Sequence, residues 1–188
     1  MHPVRIGIAG SAGTGKTTLA RHLSARLGAP LVEEPMRARL EAGFDFHAIS
    51  REAHRDMLRQ DMAGLVREAA RANGFVSDRT PLDYAAFWLC NGYGVDDPAA
   101  TGALVGRSVA ALADFTAVVL TPWGVLPPDS DGVRSTNPWL QLHFQAVVQD
   151  LCRRYVEPGR LLLLPERPMS AEARADWVME RIPAALAA

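Results

Sequence analysis

The chain has 188 residues, enough for one domain with a substantial buried core. Its 48% hydrophobic and 22% charged residues are ordinary for a globular protein, and a net charge of −1 argues against nucleic-acid binding, which normally needs a basic excess. No apolar run approaches the roughly 20 residues that span a bilayer, and no signal peptide is visible. We therefore expect a cytoplasmic protein that binds neither nucleic acid nor membranes.

Five short apolar runs predict strands that are buried on both faces, because each run is continuous rather than alternating. They are Arg5–Ala9, Pro30–Glu33, Gly74–Ser77, Ala117–Leu120 and Arg160–Leu164. The predicted helices are Thr17–Leu27, Arg51–Arg71, Pro81–Cys90, Pro98–Ala113, Pro138–Tyr155 and Ala171–Leu186. This alternation of strands and helices indicates a single α/β domain over residues 1–188 with right-handed crossovers.

Residues 10–17 match the phosphate-binding pattern G-x-x-x-x-G-K-[ST], with a predicted strand before it and an amphipathic helix after it. The glycines allow the backbone N–H groups to turn inward, and the N-terminus of the helix adds a positive dipole. Lys16 can reach the β- and γ-phosphates of ATP, and the Thr17 hydroxyl can bind Mg²⁺. The predicted nucleotide-binding residues are Gly10, Ser11, Ala12, Gly13, Thr14, Gly15, Lys16, Thr17 and Thr18.

Two classes of P-loop protein fit the sequence poorly. Lys16 is the single lysine among 20 Lys and Arg residues, so the Asn-Lys-x-Asp motif of guanine-specific GTPases cannot occur. Oligomeric AAA+ machines carry an Asp-Glu pair at the end of a strand and an extra helical domain. Here the predicted strand Ala117–Leu120 is followed by Thr121 and Pro122, and too few residues remain for that domain.

Acidic residues instead follow two other predicted strands. Asp78 comes directly after Gly74–Ser77, and Glu34 follows Pro30–Glu33. Ligands bind at the carboxyl ends of strands in open α/β sheets. The strand period sends Glu33 and Glu34 to opposite faces, and we predict Glu34 as the general base. We predict that Asp78 organises Mg²⁺, although it could also cap the helix that begins near Pro81.

The segment Thr121–Asn137 interrupts the alternation of strands and helices. It contains three prolines and two glycines, so it cannot be regular over its length. Long irregular loops in compact domains are usually functional or disordered. We predict a lid that closes over the site when substrates bind and carries Arg134 to the transferring phosphate.

These ordered motifs resemble the kinase-like P-loop proteins that include deoxynucleoside kinases, nucleoside monophosphate kinases and nicotinamide riboside kinase domains. Glu34-Pro35 resembles the Glu-Pro of deoxynucleoside kinases, in which the Glu takes the proton from the acceptor hydroxyl. Asp78-Arg79-Thr80 is similar to their Glu-Arg-Ser and to the Asp-Arg of monophosphate kinases. There the acid organises Mg²⁺ and the Arg holds phosphate or substrate.

The resemblance extends to the predicted lid and to the fold. Thr121-Pro122-Trp123 followed by Asp131-Gly132-Val133-Arg134 resembles a stretch of the nicotinamide riboside kinase-like group, in which the Arg belongs to the lid. Asp83 stands where those kinases place an acid that contacts the nucleobase. The fold implied is a three-layer αβα arrangement with a five-stranded parallel sheet of order 2-3-1-4-5.

The predicted function is ATP-dependent phosphorylation of a small, nucleoside-like metabolite. The predicted catalytic residues are Lys16, Glu34, Asp78, Arg79 and Arg134, and the predicted Mg²⁺ ligands are Thr17 and Asp78. The predicted acceptor-binding residues are Glu34, Arg37, Arg79, Asp83, Tyr84, Phe87 and Trp88. Two alternatives stay open: a nucleoside monophosphate kinase with Arg37, Arg39 and Arg79 as clamps, and an ATP-binding regulatory switch without an acceptor. The sequence also leaves a homodimer open.

Overall fold

A computed structural model of the protein describes residues 3–45, 48–126 and 137–182. It contains one sheet of five parallel strands in the order β2-β3-β1-β4-β5. The strands are β1 (Arg5–Ala9), β2 (Leu31–Val32), β3 (Phe75–Ser77), β4 (Ala117–Leu120) and β5 (Leu161–Leu163). The predicted strand number, direction and order are therefore confirmed.

Eight α-helices connect or follow the strands within the described residues. They are α1 (Lys16–Leu27), α2 (Pro35–Glu41), α3 (Arg51–Arg71), α4 (Pro81–Cys90), α5 (Tyr93–Asp96), α6 (Pro98–Ala111), α7 (Pro138–Tyr155) and α8 (Ala171–Met179). Ser50, Asn137 and Ser170 cap α3, α7 and α8, because each side chain accepts a hydrogen bond from a backbone N–H of the first turn. In the part of the chain that the structure describes, no helix is both long and apolar enough to cross a membrane.

The sheet is covered on both faces, because alternate residues of each strand pack against different helices. On one face, Ile6, Ile8 and Val119 pack with apolar residues of α1 and α8. On the other face, Val118 and Leu120 pack with residues of α3, α4, α6 and α7. The result is the three-layer αβα arrangement that the sequence predicts.

The two edge strands correct the predicted boundaries. β2 has two residues rather than the predicted four of Pro30–Glu33, and only Leu31 and Val32 pair with β3. An edge strand has a single neighbour, so its pairing ends where the chain turns away. After β2 the chain enters α2, which the sequence analysis missed, with Glu34 at the N-cap and Pro35 in the first turn. The short helix α5 was also missed.

Candidate functional site

The loop between β1 and α1, residues 10–15, has glycine at two positions where its conformation requires one. Gly10 has a φ angle of 139°, and a Cβ atom there would lie 2.2 Å from the hydroxyl oxygen of Thr121. Gly15 has a φ angle of 82° and is the N-cap of α1, so no side chain caps this helix. The N–H groups of the first turn and the helix dipole therefore stay available for an anion.

Lys16 is buried beneath this loop, and its Nζ atom donates to the carbonyl oxygen of Ser11 at 2.6 Å. Burial, aided by the positive charge of Arg79, lowers the pKa of Lys16 to about 7, although the nearby carboxylates of Asp78, Glu34 and Asp83 oppose the shift. A bound polyphosphate would favour the charged ammonium and raise this pKa again. Lys16 thus lies inside the phosphate loop, where a bound anion would stabilise its protonated form.

Binding of a nucleotide is therefore expected to take up a proton at pH 8, where the free protein holds Lys16 largely neutral and the complex requires it charged. Affinity should accordingly fall as the pH rises above 7. At this pH the phosphates themselves no longer titrate, because their second pKa is about 6. Calorimetric titration of ADP in two buffers with different ionisation enthalpies measures the uptake.

The matched control for this titration is Lys16→Met, whose residual ADP binding should show no such uptake. An ADP affinity that stays constant from pH 7 to pH 9, together with zero proton uptake by the unsubstituted protein, would contradict the lowered pKa of Lys16.

Thr17 and Asp78 meet at the start of α1. The Thr17 hydroxyl donates to Oδ2 of Asp78 at 2.5 Å, whereas Oδ1 of Asp78 is buried without a hydrogen-bond partner among the described residues. Asp78 is only 3% exposed. It does not cap α4, because Thr80 is the N-cap and Asp83 completes a capping box with it.

The pair Thr17 and Asp78 fits a Mg²⁺ ion that arrives with a nucleotide. An unpartnered buried carboxylate oxygen is costly in free energy, and a hard divalent cation prefers such oxygen ligands. Within the described ranges, no cluster of three or more His, Cys, Asp or Glu residues could hold a metal by itself. Phosphate oxygens would therefore have to complete the coordination that these two residues begin.

Arg79 connects the acidic residues to the phosphate loop. Its guanidinium lies 2.9 Å from Oε1 of Glu34 and 3.1 Å from Oδ1 of Asp83, and it donates to the carbonyl of Gly10 at 2.9 Å. The rings of Phe87 and Phe144 lie 5.1 and 5.7 Å from it. Both terminal nitrogens of Arg79 therefore hold Glu34, Asp83 and the loop in place. That Arg79 also holds phosphate or substrate stays a prediction.

The adjacent residues Glu33 and Glu34 point in different directions, as their strand-end position predicts. The Glu34 side chain is 9% exposed and faces Arg79, whereas the Glu33 side chain is 67% exposed and pairs with Arg21 at 3.6 Å. Glu34 is thus the glutamate that reaches the interior of the site.

Two cavities of about 250 Å³ each open on either side of Asp78. The α1 cavity lies between α1 and α2, and its lining includes Thr17, Arg21, Glu34, Arg37, Glu41 and Asp78. The α3 cavity lies between α2, α3 and the ends of β2 and β3, and its lining includes Arg39, Gln60, Asp61, Asp78, Arg79 and Tyr84. Asp78 therefore borders both spaces that small molecules could enter.

The predicted acceptor residues divide between these cavities and the core. Four of them line a cavity, namely Glu34, Arg37, Arg79 and Tyr84. The other three, Asp83, Phe87 and Trp88, line neither cavity. Trp88 is fully buried and donates its indole N–H to Thr101. Fully buried Asp83 is occupied by the capping box of α4 and by the N–H of Gly10 at 3.3 Å. The Phe87 ring packs on Phe144, with centroids 4.4 Å apart. The structure thus places these three residues in or against the core, and their predicted contact with an acceptor stays a prediction.

Two residues that hold the phosphate loop were not predicted. Gln145 of α7 accepts from the N–H of Ser11 at 2.8 Å and donates to the carbonyl of Thr121 at 2.9 Å. Arg174 of α8 donates to the carbonyl of Thr14 at 2.8 Å. The predicted lid residue Arg134 belongs to residues 127–136, which lie outside the described residues, so its role stays a prediction.

Comparison with known proteins now identifies the family. A family model described as AAA domain matches residues 5–159, and the chain belongs to this family of P-loop proteins. The family description concerns the domain and not an oligomeric AAA+ machine, a class that fits the sequence poorly. The Asp-Glu pair of such machines is absent after β4, where Thr121 follows Leu120. No curated protein matches the chain.

Solved structures with a similar fold include several small-molecule kinases. A NadR protein in complex with NR is 18% identical with a TM-score of 0.72, and the match covers 97% of this chain and 52% of that one. Deoxyadenosine kinase from M. mycoides with bound dCTP is 15% identical with a TM-score of 0.66, covering 96% and 99%. Shikimate kinase from Acinetobacter baumannii in complex with shikimate is 16% identical with a TM-score of 0.63, covering 96% and 93%.

These similarities define the class of protein. The chain spans about half the length of the NadR structures that it matches. At such low identities the likeness shows the fold alone. The chain is a P-loop NTPase-type domain whose loop implies nucleotide binding and whose fold resembles that of small-molecule kinases.

Proposed function

We propose that this chain is an ATP-dependent kinase that transfers the γ-phosphate to a hydroxyl group of a small, nucleoside-like metabolite. The observation that carries the proposal is the position of Glu34. Its carboxylate is buried, is held by Arg79 and lines the same cavity as Thr17 and Asp78. A carboxylate in this place can accept the proton of an acceptor hydroxyl beside the phosphate loop.

Each residue of the site then has a distinct task. Lys16 and the loop N–H groups bind the β- and γ-phosphates, and Thr17 with Asp78 would hold Mg²⁺, which when bound neutralises negative charge on the phosphates. Glu34 orients the acceptor hydroxyl. As the acceptor oxygen bonds to the γ-phosphorus and ADP leaves, Glu34 takes the hydroxyl proton. The kinase names of two fold neighbours, deoxyadenosine kinase and shikimate kinase, support this assignment.

The charges around the site favour a hydroxyl acceptor over a phosphate acceptor. A nucleoside monophosphate kinase needs cations that can hold the phosphate of its acceptor, and Arg37, Arg39 and Arg79 were the candidates. Each already faces a carboxylate: Arg37 lies 3.7 Å from Glu41, Arg39 forms a two-pronged pair with Asp61, and Arg79 pairs with Glu34. An incoming phosphate would have to compete with these carboxylates.

The α3 cavity favours an enzyme over a regulatory switch without an acceptor. Its lining is rich in polar and charged groups, among them Gln60, Tyr84 and the pair Arg39–Asp61. A space of about 250 Å³ suits a small polar metabolite. Glu34 lines the α1 cavity rather than this one, but its partner Arg79 lines the α3 cavity, so a metabolite there would lie beside the Glu34–Arg79 pair. A switch that only binds and hydrolyses ATP has no need of such a space.

The proposal is tested by measuring ADP release with ATP·Mg²⁺ against a panel of nucleosides, nucleoside monophosphates, sugars and vitamins. The expected result is acceptor-dependent ADP release with an equal amount of phosphorylated hydroxyl product. Turnover with nucleoside monophosphates alone would support the phosphate-acceptor alternative. ADP release that no acceptor stimulates, in a protein that binds ATP, would support the switch.

Replacement of the candidate base provides a sharper test of the site. Glu34→Gln is expected to reduce kcat by about 10²–10⁴-fold, the range typical for loss of a general base, while ATP affinity changes little. The matched control is Glu33→Gln. Glu33 borders both cavities, but its side chain is exposed and pairs with Arg21, so this variant should retain most of the activity. Thermal unfolding checks that Glu34→Gln stays folded, since Arg79 loses one carboxylate partner but keeps Asp83. Equal losses in both variants would contradict the assignment of the base to Glu34.

A further inference from the structure

Arg174, in the first turn of α8, is a buried cation whose hydrogen bonds are incomplete. It is only 3% exposed, and Nη1 donates to the carbonyl of Thr14 at 2.8 Å. Its Nε and Nη2 atoms are buried and have no hydrogen-bond partner in the part of the chain that the structure describes. Arg79, the other arginine of the site at this depth, also has an unpartnered Nε, but its two terminal nitrogens pair with the carboxylates of Glu34 and Asp83.

The two arginines differ in the free-energy cost of burying their charge, which is offset by carboxylates at Arg79 but not at Arg174. A buried charge without a compensating partner is costly, and proteins normally pair such groups or use them to bind a ligand. Burial lowers the pKa of Arg174, as expected where no carboxylate offsets the loss of water. The arginine nevertheless stays charged, because the guanidinium pKa is far above neutrality. An acceptor atom supplied by a ligand would satisfy the two unpartnered nitrogens.

The position of Arg174 indicates which ligand could supply that atom. Its Nη1 lies 3.1 Å from the place that a Cβ atom on Gly15 would occupy, so the guanidinium lies against the phosphate loop. The helix α8 follows β5, and the loop follows β1, with β4 between them in the sheet. Glu34 and Asp78 follow β2 and β3, on the opposite side of β1.

This arrangement orients a nucleotide in the loop. The γ-phosphate must face the side of Glu34 and Asp78, where the acceptor would bind. The rest of the nucleotide therefore extends toward the β4–β5 side, where Arg174 lies.

We propose that Arg174 is an additional nucleotide-binding residue, which donates from Nε and Nη2 to the part of the nucleotide that ATP and ADP share. The inference rests on the proposed function for nucleotide binding and for the side that the γ-phosphate faces, but it does not depend on which acceptor is phosphorylated. In the free protein, Arg174 also keeps the carbonyl of Thr14 in place. Its main contribution, however, is to affinity, because two of its N–H groups find their acceptor in the complex.

The test compares Arg174→Met with Arg181→Met, which removes an exposed arginine that stacks on Trp177. Calorimetry measures the Kd of ADP and of ATP, and thermal unfolding is followed without nucleotide. We expect Arg174→Met to weaken both nucleotides by a similar factor of about 10–100, as for loss of charge-assisted hydrogen bonds, while Arg181→Met binds as the unsubstituted protein does. The unfolding temperature of free Arg174→Met should stay the same or rise, because an uncompensated buried charge has been removed.

Three outcomes would overturn the proposal. The first is unchanged affinity of Arg174→Met for ADP and ATP. The second is a lower unfolding temperature with normal affinity, which would mean that Arg174 only supports Thr14. The third is weaker binding of ATP alone, which would place Arg174 at the γ-phosphate. Arg174→Lys, which keeps the charge but has a single donor nitrogen in place of three, should recover part of the affinity.

The same measurements separate this inference from the proposed function. A protein that binds ADP through Arg174 but phosphorylates no acceptor would leave the inference standing and refute the kinase. A working kinase in which Arg174→Met binds normally would do the reverse. An unsubstituted protein that binds neither ADP nor ATP would overturn both.

Discussion

Lys16→Ala is expected to lower kcat/KM by at least about 10³-fold. It removes the one basic side chain of residues 10–17, whose ammonium would stabilise the negative charge of the phosphate during transfer. The buried Nζ atom donates to the Ser11 carbonyl at 2.6 Å, so it lies within the loop before any ligand arrives. Steady-state kinetics with the acceptor found in the panel, together with thermal unfolding as a check on folding, measure the effect.

The control that isolates geometry from charge is Lys16→Arg. We expect the kcat/KM of Lys16→Arg to lie within about tenfold of that of Lys16→Ala, because a planar guanidinium cannot occupy the narrow space that the ammonium fills. This chain uses arginine at its other 19 Lys and Arg positions, so the single lysine indicates a place that arginine does not suit. Turnover by Lys16→Arg close to that of the unsubstituted protein would refute this explanation.

Asp78→Asn is expected to reduce kcat by about 10²–10³-fold and to raise the Mg²⁺ concentration needed for half-maximal activity. The amide keeps the shape of the side chain and can still accept from Thr17, but it loses the charge of the unpartnered buried oxygen Oδ1. Binding of ADP without Mg²⁺ should change far less. Titration of activity with Mg²⁺ at saturating ATP provides the measurement.

The matched control for this variant is Asp114→Asn, which alters a partly exposed aspartate that pairs with Arg5 at 3.6 Å. It should leave both kcat and the Mg²⁺ requirement unchanged. If Asp78→Asn and Asp114→Asn show the same Mg²⁺ dependence as the unsubstituted protein, Asp78 has no part in holding the metal.

The sheet was predictable because its signals are local. The strands β1, β3 and β4 are continuous apolar runs, and the phosphate loop has its own pattern of glycines. The start of the helix α2 also has a local signal, because Pro35 lies in its first turn, where proline is common. Pro35 entered the prediction only through the resemblance of Glu34-Pro35 to deoxynucleoside kinases. The edge strands were overestimated because apolar composition does not reveal how many neighbours a strand has.

The residues of the site were predictable where they directly follow a strand. Asp78 and Glu34 follow strands, and the topology brings such residues together. Asp83 was assigned to the acceptor pocket, yet Thr80-x-x-Asp83 also has the spacing of a capping box, which describes its place in the structure. Gln145 and Arg174 left no signal, because a helical pattern does not show which polar residue turns toward a distant loop.

The hydrogen bonds that attach the phosphate loop to α7 and α8 affect the order in which the protein folds. The hydrogen bonds from Ser11 to Gln145 and from Arg174 to Thr14 join residues 134 and 160 positions apart. Closing such long loops is entropically costly before the contacts form, so we expect these bonds to form late in folding. During synthesis the phosphate loop leaves the ribosome before α7 and α8, so Gln145 and Arg174 can bond to it only after those helices have been made. A fragment that ends before α7 contains the loop but lacks both residues.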